Sequence, residues 1–453
     1  MKTTDSMTMP YIVGPPIRRP HDFYGRSAEL ARFFEIIGGT QTQSISVRGL
    51  RRAGKTSFLQ YVTHQEVIAR YLPQPERYVM IYTDMSSCRT PSDFYHRVQQ
   101  RLRQVLIGTQ SLNLLQTSSL EPARLYDVEL LLGQFPQYRF ILLLDEFDQM
   151  QVESFGQEFL VELRALTSVW EYDLACVTAS YWDLYHLGSQ VGLPPTSPFY
   201  NIFYPTPLFL PGLQTTAAMS LIQQPAGQTQ VQFRPEQVDQ LLQMTGTLPF
   251  FVQAGAAKWY QRLRRDLALD TQAVQQQLLA EMAPYFEQWW RHFKTAEREA
   301  LLLMAQQQAH GGIAETAVLP NLLYTLHRFG LVVQERSRLF INGDLFATWI
   351  VQESSQYAEE KTAAAKTAAA KTATAKTAAM ALTYNPVSLR RALVQHFSLE
   401  ELRTLCFDLH LDFDELPGTS KSDKTRELVQ YWQKRNQLDR LVEAIRYERG
   451  AVI

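Results

Sequence analysis

Residues 49–57, GLRRAGKTS, stand between the apolar strand-like run QSISV (43–47) and SFLQYVTHQEVIARYL (57–72), where apolar residues recur at helical spacing. Strand, tight bend and helix in that order are what a phosphate-holding loop requires. The bend turns successive N–H groups inward, and the start of the helix adds its positive end. Gly49 and Gly54 bracket the loop in a Gly-x-x-x-x-Gly-Lys-Thr pattern. Lys55 is expected to reach the β and γ phosphates and the Thr56 hydroxyl to ligate magnesium. The candidate nucleotide contacts are therefore Gly49, Arg52, Ala53, Gly54, Lys55, Thr56 and Ser57, with Arg51 and Arg52 adding positive charge. Taken alone, such a match also fits a glycine-rich turn with a solvent-facing lysine, so a second element has to decide.

That element is RFILLLDEFDQM, residues 139–150. An unbroken apolar run reads as a strand buried on both faces, the pattern of a parallel sheet. It ends in Asp145 and Glu146, at the edge where such sheets bind ligands. Asp145 is expected to support magnesium and its water shell, and Glu146 to polarise the attacking water, with Lys55 as its catalytic partner. A carboxylate buried there without a cation would be costly, so the two motifs reinforce each other. Asp148 reads either as a neighbour of the cation or as an exposed helix-initiating residue.

Further strands fit the same sheet. YVMIYTDM (78–85) follows the first helix, and YDLACVTAS (172–180) ends in Thr178 and Ser180. Those hydroxyls either sense the γ-phosphate or cap the next segment. IFYPTPLFL (202–210) is a weaker fifth strand, since its two prolines disfavour an interior position. Strands alternating with helical stretches argue for a doubly wound α/β domain.

In these residues the chain resembles a STAND-type signal-transducing P-loop NTPase, close to the AAA-like and archaeal-ATPase branch. FYGRSAEL (23–30) resembles the box before the first nucleotide-binding strand, which puts Gly25 and Arg26 near adenine and the phosphates. The preceding YIVGPP then supplies backbone contacts to the base. TGTLPF (245–250) resembles the Gly-x-x-Pro turn of the helical lid, which brings Pro249 to the nucleotide; read without the family, Gly246 and Pro249 are ordinary turn residues. The resemblance spans about residues 11–352. It departs from the family at Ser27, where an acidic residue is usual and Glu29 follows two positions later, and it assigns no arginine finger.

The 453 residues leave room for about two to four domains. A net charge of −1 gives no global sign of a nucleic-acid binder. Three separated cysteines, Cys88, Cys176 and Cys406, exclude a CxxC metal site and fit a reducing cytosol. The N-terminus carries no signal-peptide core, and no apolar run is long enough to span a membrane. The expected organisation is an N-terminal segment (1–22), the NTPase domain (23–212), a helical lid (213–284), a winged helix (285–352), a linker (353–382) and a small helical domain (383–453). The winged helix offers only His327 and Arg328 as polar anchors on its recognition stretch, few for a duplex reader. The family resemblance instead implies that it packs on the NTPase and reports its state.

The linker repeats lysine at 361, 366, 371 and 376 among alanines and threonines, with no apolar stripe, and reads as a fluctuating helical spacer. Residues 383–453 read as short amphipathic helices, with Ser398 and Glu401 forming a capping box. Cys406 and His410 share a helical face, but without a third polar member Cys406 reads as core among Leu402, Leu405 and Leu409. LVQHFSLEELRTLCFDLHLDFDELPG and KTRELVQYWQKR resemble a bacterial effector-associated, death-like adaptor module. Its acidic cluster (Asp408, Asp412, Asp414, Glu415) and basic cluster (Lys424, Arg426, Lys434, Arg435) suggest head-to-tail pairing or an internally balanced surface.

Together these features lead to the expectation of a cytoplasmic ATP/ADP switch with Mg²⁺ in bacterial conflict or antiphage signalling. It self-associates on ATP and recruits a separate effector through its C-terminal domain. The alternatives are a DNA-associated ATPase and a scaffold that binds nucleotide without hydrolysing it.

Overall fold

The computed structural model describes residues 9–106, 122–229, 231–265, 270–353, 385–409, 411–435 and 437–449. The chain divides into two compact bodies, residues 1–355 and 356–453. From residue 354 onward, the lysine–alanine linker expected over 353–382 lies outside the described residues.

The first body is built on a parallel sheet of β1 (Ile45–Arg48), β2 (Tyr78–Asp84), β3 (Arg139–Asp145), β4 (Asp173–Ser180) and β5 (Leu208–Phe209), in the order β2-β3-β4-β1-β5. Side chains alternate across a strand, so β3 sends Ile141 and Leu143 to one core and Phe140, Leu142 and Leu144 to the other. Both faces are covered, which explains the unbroken apolar run. On one face lie α1 (Ser27–Ile37), α2 (Lys55–Tyr61) and α3 (Gln65–Tyr71). On the other lie α4 (Pro91–Leu106), α5 (Leu125–Gly133), α6 (Gln157–Thr167) and α7 (Leu184–Gln190). Truncating a buried leucine such as Leu143 to alanine should cost about 2–5 kcal/mol. Pro205 and Pro207, which cannot donate to a ladder, leave β5 as a short edge strand.

Helices α8 (Thr215–Gly227), α9 (Pro235–Thr245), α10 (Pro249–Arg264) and α11 (Thr271–His292) follow. α11 runs unbroken across the 284/285 boundary expected from sequence, with Pro284 inside it. After it come α12 (Thr295–Gln307), β6 (Ile313–Ala314), α13 (Pro320–Arg328), β7 (Val332–Glu335), β8 (Arg338–Ile341) and α14 (344–353). The antiparallel sheet β6-β8-β7 and the two helices before its hairpin give the element order in which the sequence reading placed a winged helix. Phe251, Phe286, Trp289, Phe346 and Trp349 join this unit and α8–α11 into one core. The boundary fails for that reason: the last helix of one unit is also the first wall of the next.

The second body holds α15 (Pro386–His396), α16 (Leu399–Asp408), α17 (Lys421–Lys434) and α18 (Leu438–Arg449) around Leu393, Leu402, Leu405, Leu428, Trp432 and Ile445. α16 opens with the expected capping box, Glu401 N–H donating to Ser398 Oγ at 3.2 Å and Ser398 N–H to Glu401 Oε2 at 2.7 Å. Cys406 is core, and burial pushes its thiol up to about 11. His410 lies outside the described residues.

Candidate nucleotide site

The loop after β1 bends tightly enough to seat Leu50 and Ala53 in the interior and to start α2 at Lys55. Gly54 caps that helix at φ 94°, a conformation glycine adopts without strain. Lys55 Nζ donates to the loop's own carbonyls, Gly49 O at 3.0 Å and Leu50 O at 3.2 Å. Burial lowers its pKa, while Asp148, Glu146 and Asp145 hold the charge in place. Thr56 lines the cavity and carries no side-chain hydrogen bond among the described residues. The Ser57 hydroxyl accepts Ile17 N–H at 3.0 Å and so anchors the N-terminal segment to α2. Arg52 sends its guanidinium away from the cradle, to Gly14 O at 2.8 Å and Tyr285 Oη at 3.1 Å, over the Phe250 ring.

Asp145 ends β3 almost fully buried. Its two oxygens are oriented separately, Oδ2 by the Tyr82 hydroxyl at 2.8 Å and Oδ1 by Glu146 N–H at 3.0 Å. Glu146 follows at φ 49° and lines the same cavity as Lys55 and Thr56. Burial raises its pKa against the pull of Lys55, the shift expected of a carboxylate made more basic. Asp148 is half-buried and accepts Tyr181 N–H at 2.9 Å, tying the turn after β3 to the end of β4. Of the two hydroxyls proposed on β4, Ser180 Oγ donates to Trp182 O at 2.7 Å, and Thr178 Oγ1 is buried without a partner. Among the described residues no group of three or more His, Cys, Asp or Glu is arranged so that it could hold a metal ion by itself. A magnesium ion here would thus draw on Thr56, Asp145, water and the ligand's phosphates, which suits its octahedral, water-rich preference.

The box before α1 places Arg26 in the lining of the cavity, whereas Gly25 lines a neighbouring cavity that Arg26 also borders. Arg26, at φ 64°, is buried with its guanidinium on Glu29 Oε1 (2.9 Å), Ala53 O (3.1 Å) and Pro211 O. It clamps the phosphate loop to the segment after β5 through Nη1 and Nη2, both engaged within the protein. Glu29, two residues past the expected acidic position, is its counter-ion. Pro249 starts α10 and faces Gly54, to which a Cβ would bring it within 3.9 Å. The cavity these groups enclose measures about 270 Å³ and is closed by Ile12, Ile17, Tyr24, Leu213, Leu221 and Gln253.

Among the described residues, non-glycine positive φ values occur at Arg26, Arg52, Glu146 and Arg336, and the first three line this cavity. Such conformations cost an L-residue about 1–2 kcal/mol and gather where geometry serves function. Sequence reasoning missed Tyr82 and Gln253. Gln253 lies one helical turn after Pro249 and therefore on its face, and its Oε1 accepts Ile12 N–H at 2.9 Å. Tyr82 stands two residues before the ligand end of a largely buried strand, the kind of place where a polar tip has a purpose.

Two contacts carry this site into the rest of the body. Trp289 Nε1, on α11, donates to Arg51 O at 3.2 Å, beside the Arg52–Tyr285 bond. At the turn between α9 and α10, Thr247 N–H donates to Asn342 Oδ1 at 3.0 Å, and Asn342 Nδ2 donates to Gly330 O at 2.7 Å. Gly246 approaches so closely that a Cβ would lie 2.2 Å from Asn342 O. His327 and Arg328 of α13 line a groove of about 940 Å³ against α1 and β5, Arg328 lying over Phe209 at 5.2 Å.

A family model described as novel STAND NTPase 2 matches residues 33–310, and one described as effector-associated domain 7 matches 389–450. No curated protein matches the chain. Among solved structures, the Walker-type ATPase PABY2304 of Pyrococcus abyssi is similar to it with a TM-score of 0.52 at 16% identity, covering 74% of this chain and 98% of its own. The Aeropyrum pernix ORC2 protein, in ADPNP–ADP complexes, has a TM-score of 0.43 at 13% identity, covering 78% of this chain and 97% of its own. At 16% identity the likeness to the Pyrococcus abyssi ATPase is one of fold.

Proposed function

The chain belongs to the novel STAND NTPase 2 family, and from that premise we propose that it is an ATP/ADP-controlled signalling switch that recruits a separate effector through residues 383–453. The observation that carries this reading is the double grip on the nucleotide site. α11 holds the phosphate loop through Trp289 and Tyr285, and Asn342 holds the lid turn two residues before Pro249. A ligand that moves either contact changes the packing of everything from α11 to α14. It shifts a conformational equilibrium only as far as ATP and ADP differ in affinity for the two states.

In this reading Lys55 and the backbone of residues 49–54 bind the phosphates, with Thr56 and Asp145 directed at Mg²⁺, which supplies charge neutralisation at the phosphates. Tyr82 fixes the rotamer of Asp145. Glu146 takes the proton of the attacking water, and its raised pKa suits it to that task. Hydrolysis is slow and serves to reset the switch. Among the described residues no helix is long and apolar enough to cross a membrane. The pairing of this NTPase with an effector-associated domain supports a place in bacterial conflict signalling, antiphage defence in particular, with self-association on ATP. A DNA-reading role finds little support at α13, whose His327 and Arg328 face the groove against β5.

Mass spectrometry of nucleotide released from the purified protein, beside a hydrolysis assay, tests the reading. The expected result is bound ADP or ATP with slow turnover. No bound nucleotide, together with salt-sensitive duplex binding, would overturn it in favour of the DNA-associated reading. Bound ATP that never turns over would leave a scaffold.

A further inference from the structure

The C-terminal body exposes a face that its own core leaves unused. α16 sends Leu402, Leu405 and Cys406 inward, while Leu399, Arg403 and Phe407 descend the opposite side at four-residue spacing. Phe407 is 80% exposed, although a phenylalanine is among the side chains with most to gain from being covered. Glu400 and Asp408 flank it on the helix. The Arg403–Asp414 ion pair, at 3.2 Å, brings the turn with Asp412, Asp414 and Glu415 to the same side. Arg403 is shared between Glu400 and Asp414, so the rim of this aromatic knob is strongly acidic.

The complementary charge is not where the sequence suggested. Lys424 turns inward, its Nζ donating to Phe413 O at 3.0 Å and to Leu416 O. Arg426 pairs with Asp423 and Glu427, and Arg435 lies over the Tyr431 ring at 3.6 Å. Lys434 of α17 stays exposed, and two further cations without an ion pair stand side by side on α15. There Arg390 and Arg391 share an outward face with Val387, itself 52% exposed, at i, i+3 and i+4. Neither arginine has an ion pair among the described residues. α15 packs on α17 and α16 on α18, so knob and complement belong to helices with different neighbours.

We propose that the Phe407 face of α16 docks on the Val387–Arg390–Arg391 face of α15 in a second copy of this chain. The charges select the partner and Phe407 supplies the buried anchor. Two different patches meeting make a heterologous contact, which repeats head to tail and does not close after two copies. The proposal rests on the reading of this body as the output module, and it makes that module a site of growth as well as recruitment.

The test uses the full chain, with light-scattering mass measured against concentration, in EDTA and again with ATP and Mg²⁺. Phe407→Ser removes the knob, and Arg390→Glu with Arg391→Glu removes the receptor. All three positions are exposed, and circular dichroism checks that each variant is folded. The wild type is expected to grow past dimer, more readily with ATP and Mg²⁺ than in EDTA, each variant alone to assemble about 30-fold more weakly, and an equimolar mixture to stop at a one-to-one complex through the surviving pair of faces. Wild-type assembly by either variant, or a mixture that stays monomeric, overturns the proposal. Growth that follows ATP but ignores both substitutions would also sink it, leaving the switch reading intact. Growth that follows the substitutions but ignores ATP would keep the contact and count against the switch.

Discussion

The nucleotide site and the C-terminal module use charge in opposite ways. At the site, one buried lysine is surrounded by Asp145, Glu146 and Asp148, and each group is where it is because a strand end or a strained turn puts it there. In the module, most carboxylates and cations lie in water, and some satisfy one another within a turn, as Arg426 does with Asp423 and Glu427. Geometry that dictates residue type leaves a pattern a reader can recognise. Solvated charge leaves only composition, which says that patches exist but not which members are free.

The most forceful way to break this contrast is to remove the buried cation. Lys55→Ala removes the buried cation proposed to hold the phosphates and leaves three carboxylates unopposed. Breaking a buried charge cluster costs about 3–5 kcal/mol, so nucleotide affinity should fall at least about 100-fold by calorimetry. Lys434→Ala, in the solvated module, should change neither nucleotide affinity nor stability beyond about 0.5 kcal/mol. Comparable effects at the two lysines would erase the distinction.

Next in size is Glu146→Gln. It keeps the shape and the cavity wall, so ATP binding should stay within about threefold while turnover falls about 100-fold or more. The pH profile sharpens the assignment. Because burial raises the Glu146 pKa, the ionised base is lost at a higher pH than for an ordinary carboxylate near about 4.3. The rate should therefore decline, as pH falls, through a limb above that value, and the Glu146→Gln variant should lack the limb. Unchanged turnover would remove Glu146 from the mechanism.

A smaller effect is expected at the junction. Asn342→Leu leaves Thr247 N–H and Gly330 O without their partner in a buried place. An unsatisfied buried group costs about 1–3 kcal/mol, so urea denaturation should show a loss of about 2 kcal/mol, along with a reduced difference between the ATP- and ADP-bound melting temperatures. A loss of stability with the nucleotide difference preserved would make Asn342 a structural bond and nothing more.

These sites were not equally legible. The strands and the strand–bend–helix at residues 45–61 could be read because a strand buried on both faces needs an unbroken apolar run and a tight bend needs glycine at fixed spacing. Even there, Arg26 and Arg52 carried charge in the sequence but turned their guanidinium groups onto Pro211, Ala53, Gly14 and Tyr285, partners far away along the chain. The lid boundary at 284/285 was illegible because α11 serves two units at once. Asn342 gave no local signal either, since its partners Thr247 and Gly330 lie in other elements. In the module, Lys424 looked like a surface cation until the fold brought the carbonyls of Phe413 and Leu416 to it.

The finest test compares two strained residues, one in the site and one outside it. Glu146 and Arg336 both hold positive φ, 49° and 57°, the first at the cavity and the second in the turn between β7 and β8. A left-handed conformation costs an L-residue about 1–2 kcal/mol, while glycine gives back about 0.5–1 kcal/mol through its freer unfolded chain. Arg336→Gly should therefore stabilise the fold by up to about 1 kcal/mol and leave ATP turnover alone. Glu146→Gly should stabilise it by at least as much, because the upward shift of its pKa means that its surroundings on balance oppose its charge in spite of Lys55. Turnover should be lost at the same time. Chemical denaturation beside a hydrolysis assay separates the two variants. If Glu146→Gly proved less stable than the wild type, the strain at the end of β3 would be held by favourable side-chain contacts, and the site and the turn would not differ in kind. If it proved more stable and inactive, Glu146 would be a residue kept at the expense of stability for what its carboxylate does.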